Sequence, residues 1–150
     1  MKLKIPPVIV FFMALGINFG AHYLFPEYSY GFLYQTLLSR IFLGMGVLAL
    51  FSGIISFRIK GTTVDPLNPE KASSLVQSGI YKYTRNPMYL GMALVLLGGI
   101  VRIGNPIGLL AIMFFIWYIT KFQIKPEEAA LKKIFGAEYE KFCNKVRRWV

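Results

Sequence analysis

The chain has 150 residues, 55% of them hydrophobic, and a formal net charge of +10. A single cysteine and a single histidine exclude a disulfide framework and argue against a zinc site. The apolar fraction exceeds the roughly 45–50% of soluble chains, and the apolar runs are too long for a nucleic-acid-binding protein. The combination fits a membrane protein with cationic loops.

A spanning helix needs about 20 mostly apolar residues. Residues 5–25, "IPPVIVFFMALGINFGAHYLF", meet that length. This run has no obvious small-residue cleavage site and reads as a retained span. "PEYSYG" follows as a turn with interfacial tyrosines. The second span covers residues 34–57, and a polar segment occupies residues 58–86. Two shorter apolar runs, residues 87–103 and 106–122, are separated by "RIGNP", a break suited to a tight helical hairpin. Their shortness implies tilt or shielding by neighbours. Glycines 44, 46 and 53 fall inside the second run and read as helix-packing positions. The expected fold is all-α: a single integral membrane domain, residues 1–150, of about four transmembrane helices.

Four spans put the N-terminus, the 58–86 segment and the C-terminal tail on one side. Of the 17 Lys and Arg residues, all but Arg40 and Arg102 then share that side. The asymmetry places both termini in the cytoplasm and the chain in the inner membrane.

The tail, residues 126–149, reads as a C-terminal amphipathic helix. Pro126 suits a first helical turn, and Glu127 and Glu128 complement its dipole. Leu131, Phe135, Tyr139, Phe142, Val146 and Trp149 form one apolar stripe, interrupted by Gly136. Two readings stand: a basic helix lying on the inner leaflet, or a segment folded back to cap a site.

Little in the chain supports hydrolytic chemistry. His22 and Asn18 lie in the first span as packing or interhelical polar residues. Cys143 reads as a small hydrophobe of the tail. No phosphate-binding glycine loop is present. The density of polar groups is instead in "SSLVQSGIYKYTRNPMY", "TTVDP" and "KPEE". Tyr81, Tyr83 and Tyr89 can stack on a flat ring or a cation. Arg85 can hold a carboxylate, and Asn86 offers both donor and acceptor. Glu127 can hold an ammonium group or a ribose hydroxyl. An interfacial aromatic and cationic belt at a helix mouth would use the same residues.

The order of these residues resembles the isoprenylcysteine carboxyl methyltransferase and phospholipid methyltransferase superfamily. The resemblance rests on Gly79 and Tyr81; Arg85, Asn86, Pro87, Tyr89 and Gly91; Asn105 and Pro106; Glu127 and Glu128; Phe135, Gly136 and Tyr139. It implies an integral membrane enzyme that takes S-adenosylmethionine as cofactor. By position, the implied cofactor contacts are Leu75, Val76, Tyr81, Arg85, Asn86, Pro87, Met88, Tyr89 and Glu127. Glu128 is the implied base where the acceptor is an amine; a carboxylate acceptor needs none. Two positions depart from the pattern. Asn86 replaces a histidine of the eukaryotic enzymes, and Gln123 stands where those enzymes carry a substrate-side arginine, with Lys121 and Lys125 nearby. The expected partner is a membrane lipid or hydrophobic acceptor. The rival expectation is a non-catalytic four-span protein whose basic face binds anionic lipid or a protein.

Overall fold

A computed structural model describes residues 5–61 and 73–150. Lys2, Lys4, Lys71 and the "TTVDP" motif lie outside the described residues. The described residues are helical, with no strand among them.

Helix α1 spans Pro7–Leu24, with proline in its first turn where a missing N–H costs nothing. Its inward stripe, Val10, Ala14, Asn18 and Ala21, recurs every three or four residues. A short 3₁₀ turn, Pro26–Tyr28, leads to α2, Gln35–Ile59. Helix α3, Pro87–Ile103, starts and ends where the sequence predicts. Pro87 occupies its first turn, and Gly104, at φ 74°, closes its end in the left-handed region that glycine tolerates. Helix α4 starts at Gly108.

Helices α2 and α3 form the most extensive contact in the molecule. A Cβ on Gly91 would lie 2.6 Å from Gly46 O, so the two backbones touch where both residues are glycine. Gly53 packs against Met88 in the same way, whereas Gly44 faces open space. Ser39 Oγ donates to Gly98 O at 2.8 Å across this seam. In a lipid surrounding, helix contacts bring no hydrophobic gain, and close packing and such bonds hold helices together instead.

The hairpin between α3 and α4 is tied down by Asn105, which is fully buried. Its Nδ2 donates to Phe25 O at 2.9 Å and Ala21 O at 3.2 Å, while its Oδ1 accepts from Ile107 N at 3.0 Å. One side chain therefore satisfies the end of α1 and the start of α4.

The expected separation between the last span and the tail does not exist. Helix α4, Gly108–Ile119, runs into a π-helical turn, Thr120–Ile124, and straight on into α5, Lys125–Phe135. The cause is Pro126, which cannot donate a backbone bond. The wider turn, in which Lys125 N donates to Thr120 O, carries the helix past it. The tail is also not one helix. It bends at Gly136, φ 49°, into α6, Ala137–Lys145, and then becomes extended.

Three helical stretches are long and apolar enough to cross a membrane: Pro7–Leu24, Gln35–Ile59 and Gly108–Phe135. Helix α3 has 17 residues, about 26 Å at the usual rise, and is the most enclosed by its neighbours. Large apolar side chains such as Phe12, Leu48, Phe51, Leu110 and Trp117 point outward. Exposure on that scale marks a lipid-facing surface.

Candidate active site

The loop that follows α2 re-enters the described structure at Ser73 and turns at Gly79, φ 61°. A Cβ there would lie 3.0 Å from Ser56 Oγ, so glycine lets the loop sit close on α2. The next turn, Gly79–Lys82, buries Tyr81 edge-on against Phe57, with ring centroids 5.5 Å apart. Burial, reinforced by the charge of Glu127, pushes the Tyr81 hydroxyl well above its ordinary range, so it stays a neutral phenol. Thr84 Oγ1 then accepts from Asn86 N at 3.2 Å, and Asn86, at φ −131° and ψ 57°, is neither helical nor fully extended as it leads into Pro87 and α3.

Tyr89, on the first turns of α3, donates to Glu127 Oε1 at 2.6 Å. Gln123 Nε2 donates to the same oxygen. The helix that continues through the π turn is what carries Glu127 to this position.

A second carboxylate sits beside the first. Glu128 Oε1 takes Arg85 Nη2 at 3.2 Å and Arg148 Nε at 3.0 Å, and its Oε2 takes Arg148 Nη2 at 2.7 Å. Arg85 Nη1 also donates to Cys143 Sγ, while Arg85 Nε is buried with no partner among the described residues.

The tail folds back over this cluster. Asn86 Nδ2 donates to Arg148 O at 2.9 Å, Arg85 N donates to Arg147 O at 3.0 Å, and Trp149 Nε1 donates to Thr120 Oγ1 at 3.3 Å. Its apolar stripe packs on the loop: Tyr139, Phe142 and Val146 bury against Val76 and Tyr81. On the aqueous side each such burial contributes about 1.5–3 kcal/mol. Of the two readings of the tail, the structure takes the folded-back one.

These elements enclose a cavity of about 330 Å³. Leu75, Val76, Tyr81, Arg85, Asn86, Met88, Tyr89, Glu127 and Glu128 all line it. Pro87 does not; it starts α3 and packs toward Gly53. Ser74, Leu131, Tyr139 and Phe142 line it as well and were not among the expected contacts. The tail stripe was the available signal for the last three. Apolar residues of the bundle, Val8, Leu50, Ile54 and Met92, form the other end. Gln123 is buried behind Glu127, and Lys121 lies 5.2 Å over the Trp117 ring, so neither lines the cavity. No group of His, Cys, Asp or Glu among the described residues is arranged to hold a metal.

The sequence model of the phospholipid methyltransferase family matches residues 26–138. The chain belongs to that family. It is 30% identical to the protein-S-isoprenylcysteine O-methyltransferase of Saccharomyces cerevisiae over 67% of this chain and 43% of that protein. It is 29% identical to a probable protein-S-isoprenylcysteine O-methyltransferase of Oryza sativa subsp. indica over 82% of this chain and 64% of that one. An uncharacterized protein of Haemophilus influenzae is 43% identical over 42% of this chain and over its own full length. The chain thus spans about two fifths to two thirds of the length of these two named relatives. No solved structure gives a significant match.

Proposed function

We propose that this family member is an integral membrane methyltransferase that takes S-adenosylmethionine as donor and methylates a hydrophobic or lipid-attached acceptor. The observation that carries the reading is the two-ended cavity. One end is apolar and built from spanning helices; the other is polar and built from the loop, the mouth of α3 and the tail. A soluble donor and a lipid-borne acceptor need such a pair of surfaces facing one another.

The lining fits the donor chemically. Tyr81 and Tyr89 offer aromatic faces to a sulfonium. Glu127 and Asn86 offer acceptors and a donor to ribose and adenine groups, and the unpartnered Arg85 Nε offers a donor to a carboxylate. S-adenosylmethionine, when bound, supplies an already activated methyl group. The chain's residues then have three tasks. The Tyr89–Glu127–Gln123 chain of hydrogen bonds fixes one wall of the site. The folded-back tail excludes water. The bundle end holds the acceptor in line.

Glu128 lines the cavity, as its expected role as base requires, but each of its oxygens accepts from a guanidinium. We therefore assign Glu128 to holding the wall, and give Glu127 the proton of an amine acceptor. A carboxylate acceptor needs neither.

In this reading α1 to α4 are four spans, residues 1–150 act as one domain, and both termini face the cytoplasm, where the cations of the described loop and tail gather. The test is transfer of a labelled methyl group on membranes containing the protein, followed by identification of the labelled lipid-soluble product. Transfer that disappears in Glu127→Ala supports the reading. Absence of both transfer and S-adenosylmethionine binding in the unaltered chain overturns it in favour of a non-catalytic membrane protein.

A further inference from the structure

A second hollow of about 570 Å³ lies on the outer side of the tail. Its walls carry Lys125, Lys132, Glu140 and Asn144, so it faces water. Glu128 and Tyr139 line both this cleft and the inner cavity. The partition between the two is therefore a single layer of side chains.

We propose that the outer cleft is the aqueous vestibule of the cavity and that Arg148, clamped on Glu128, is the gate between them. The ligand it admits is a small, polar, water-soluble molecule. In identifying that molecule with the methyl donor, the inference rests on the function proposed above; the route itself rests on the geometry alone.

Three features make Arg148 the moving part. It lies beyond the end of α6 at Lys145, with its backbone carbonyl held by Asn86 Nδ2, so the part free to swing is the side chain alone. Its side chain is 34% exposed, whereas that of Arg85, on the same carboxylate, is 12% exposed. Arg148 is thus the more solvated of the two guanidiniums, and water replaces it on Glu128 at less cost than it would replace Arg85. Arg85 remains on Glu128 when Arg148 swings out, so the opening strands no buried charge. The bundle end offers no comparable route, because a polar solute there must pass Leu50, Ile54 and Met92.

The test needs no methyl donor. In the full chain, reconstituted in lipid nanodiscs, Cys143 is replaced by Ala and Ser74, a near-isosteric cavity position, by Cys. Modification by a charged, membrane-impermeant methanethiosulfonate then reports access to the cavity. Arg148→Ala is expected to raise the modification rate about tenfold or more, Arg148→Lys by less. Ala129→Trp, on the exposed wall of the cleft, is expected to lower it by a similar factor. Should Arg148→Ala lower the melting temperature, the Ala129→Trp comparison carries the test, and Leu75→Cys replaces Ser74→Cys if that variant misfolds. Rates within twofold of the parent for both Arg148→Ala and Ala129→Trp would overturn the vestibule. A failed methyl-transfer assay would leave this result standing, and the reverse also holds.

Discussion

The hydroxyl of Tyr89 lies 2.6 Å from Glu127 Oε1, across 38 residues of chain. One partner opens α3, and the other sits just past the π turn that prolongs α4. The bond ties both arms of the hairpin at the cavity, and it exists because the last helix does not stop at the end of its apolar run.

Tyr89→Phe removes that donor and keeps the ring. A hydrogen bond to a charged group contributes about 1.5–3 kcal/mol. Affinity for the proposed donor, S-adenosylmethionine, measured by calorimetry in detergent, is therefore expected to fall about 10- to 100-fold. An unchanged affinity would mean that Glu127 is held well enough by Gln123 and that its position is not what the ligand senses.

Gly91→Ala places a methyl group 2.6 Å from Gly46 O and 2.9 Å from Leu50 N. Both are backbone atoms and cannot rotate away. The α2–α3 seam must open, at a cost of about 3 kcal/mol, the upper end for overpacking. Gly44→Ala meets nothing within 4 Å and should gain about 0.5–1 kcal/mol from the lost flexibility of glycine. Thermal melting of the two variants side by side checks both sign and size.

The legible parts of this fold were those written locally. Pro87 and Gly104 bracket α3 in the sequence, and the observed helix runs Pro87–Ile103 with Gly104 as its cap. The apolar stripe of the tail was equally readable, but its partner was not. Val76 and Tyr81 lie more than fifty residues away, and a periodicity carries no address. The same holds for Cys143: nothing near it in sequence announces Arg85. The uninterrupted passage from α4 to α5 was missed for a different reason. A proline after a span reads as a stop, and only the backbone shows that a π turn has absorbed it. The candidate site was largely found through resemblance. Its ion-paired wall, Arg85–Glu128–Arg148, and the tail packed over it join residues far apart in the chain, which only the fold brings together.

Asn105→Ala should be among the most damaging changes outside the cavity. The side chain is fully buried and bonds Ala21 O, Phe25 O and Ile107 N. Its loss takes the acceptor from Ile107 N, at about 1–3 kcal/mol where water cannot replace it, and removes the second donor from Ala21 O and Phe25 O, which keep Phe25 N and Tyr28 N. A loss of about 3 kcal/mol in denaturant unfolding is expected. Asn105→Asp should recover part of it, through the acceptor to Ile107 N but not the donors.

Tyr81 gives the fold a signature in alkali. Its hydroxyl lies outside the spans, and burial, then the charge of Glu127, raises its pKa in the folded chain. Unfolding returns it to the ordinary value near 10. Below that value the phenol is protonated in both states, and its contribution is fully present. Above it the unfolded chain loses the proton while the folded chain keeps it, so the unfolded state binds fewer protons and stability falls as pH rises. The slope from one such group approaches about 1.4 kcal/mol per pH unit. Other residues titrate in the same range, so the informative quantity is a difference. Between pH 9 and 11 the melting temperature of the parent chain should fall more steeply than that of Tyr81→Phe, which keeps the ring on Phe57 and has no proton to lose. Parallel curves would mean that the hydroxyl reaches water in the folded chain, and that the floor of the cavity is wetter than its packing against Phe57 and Val76 implies.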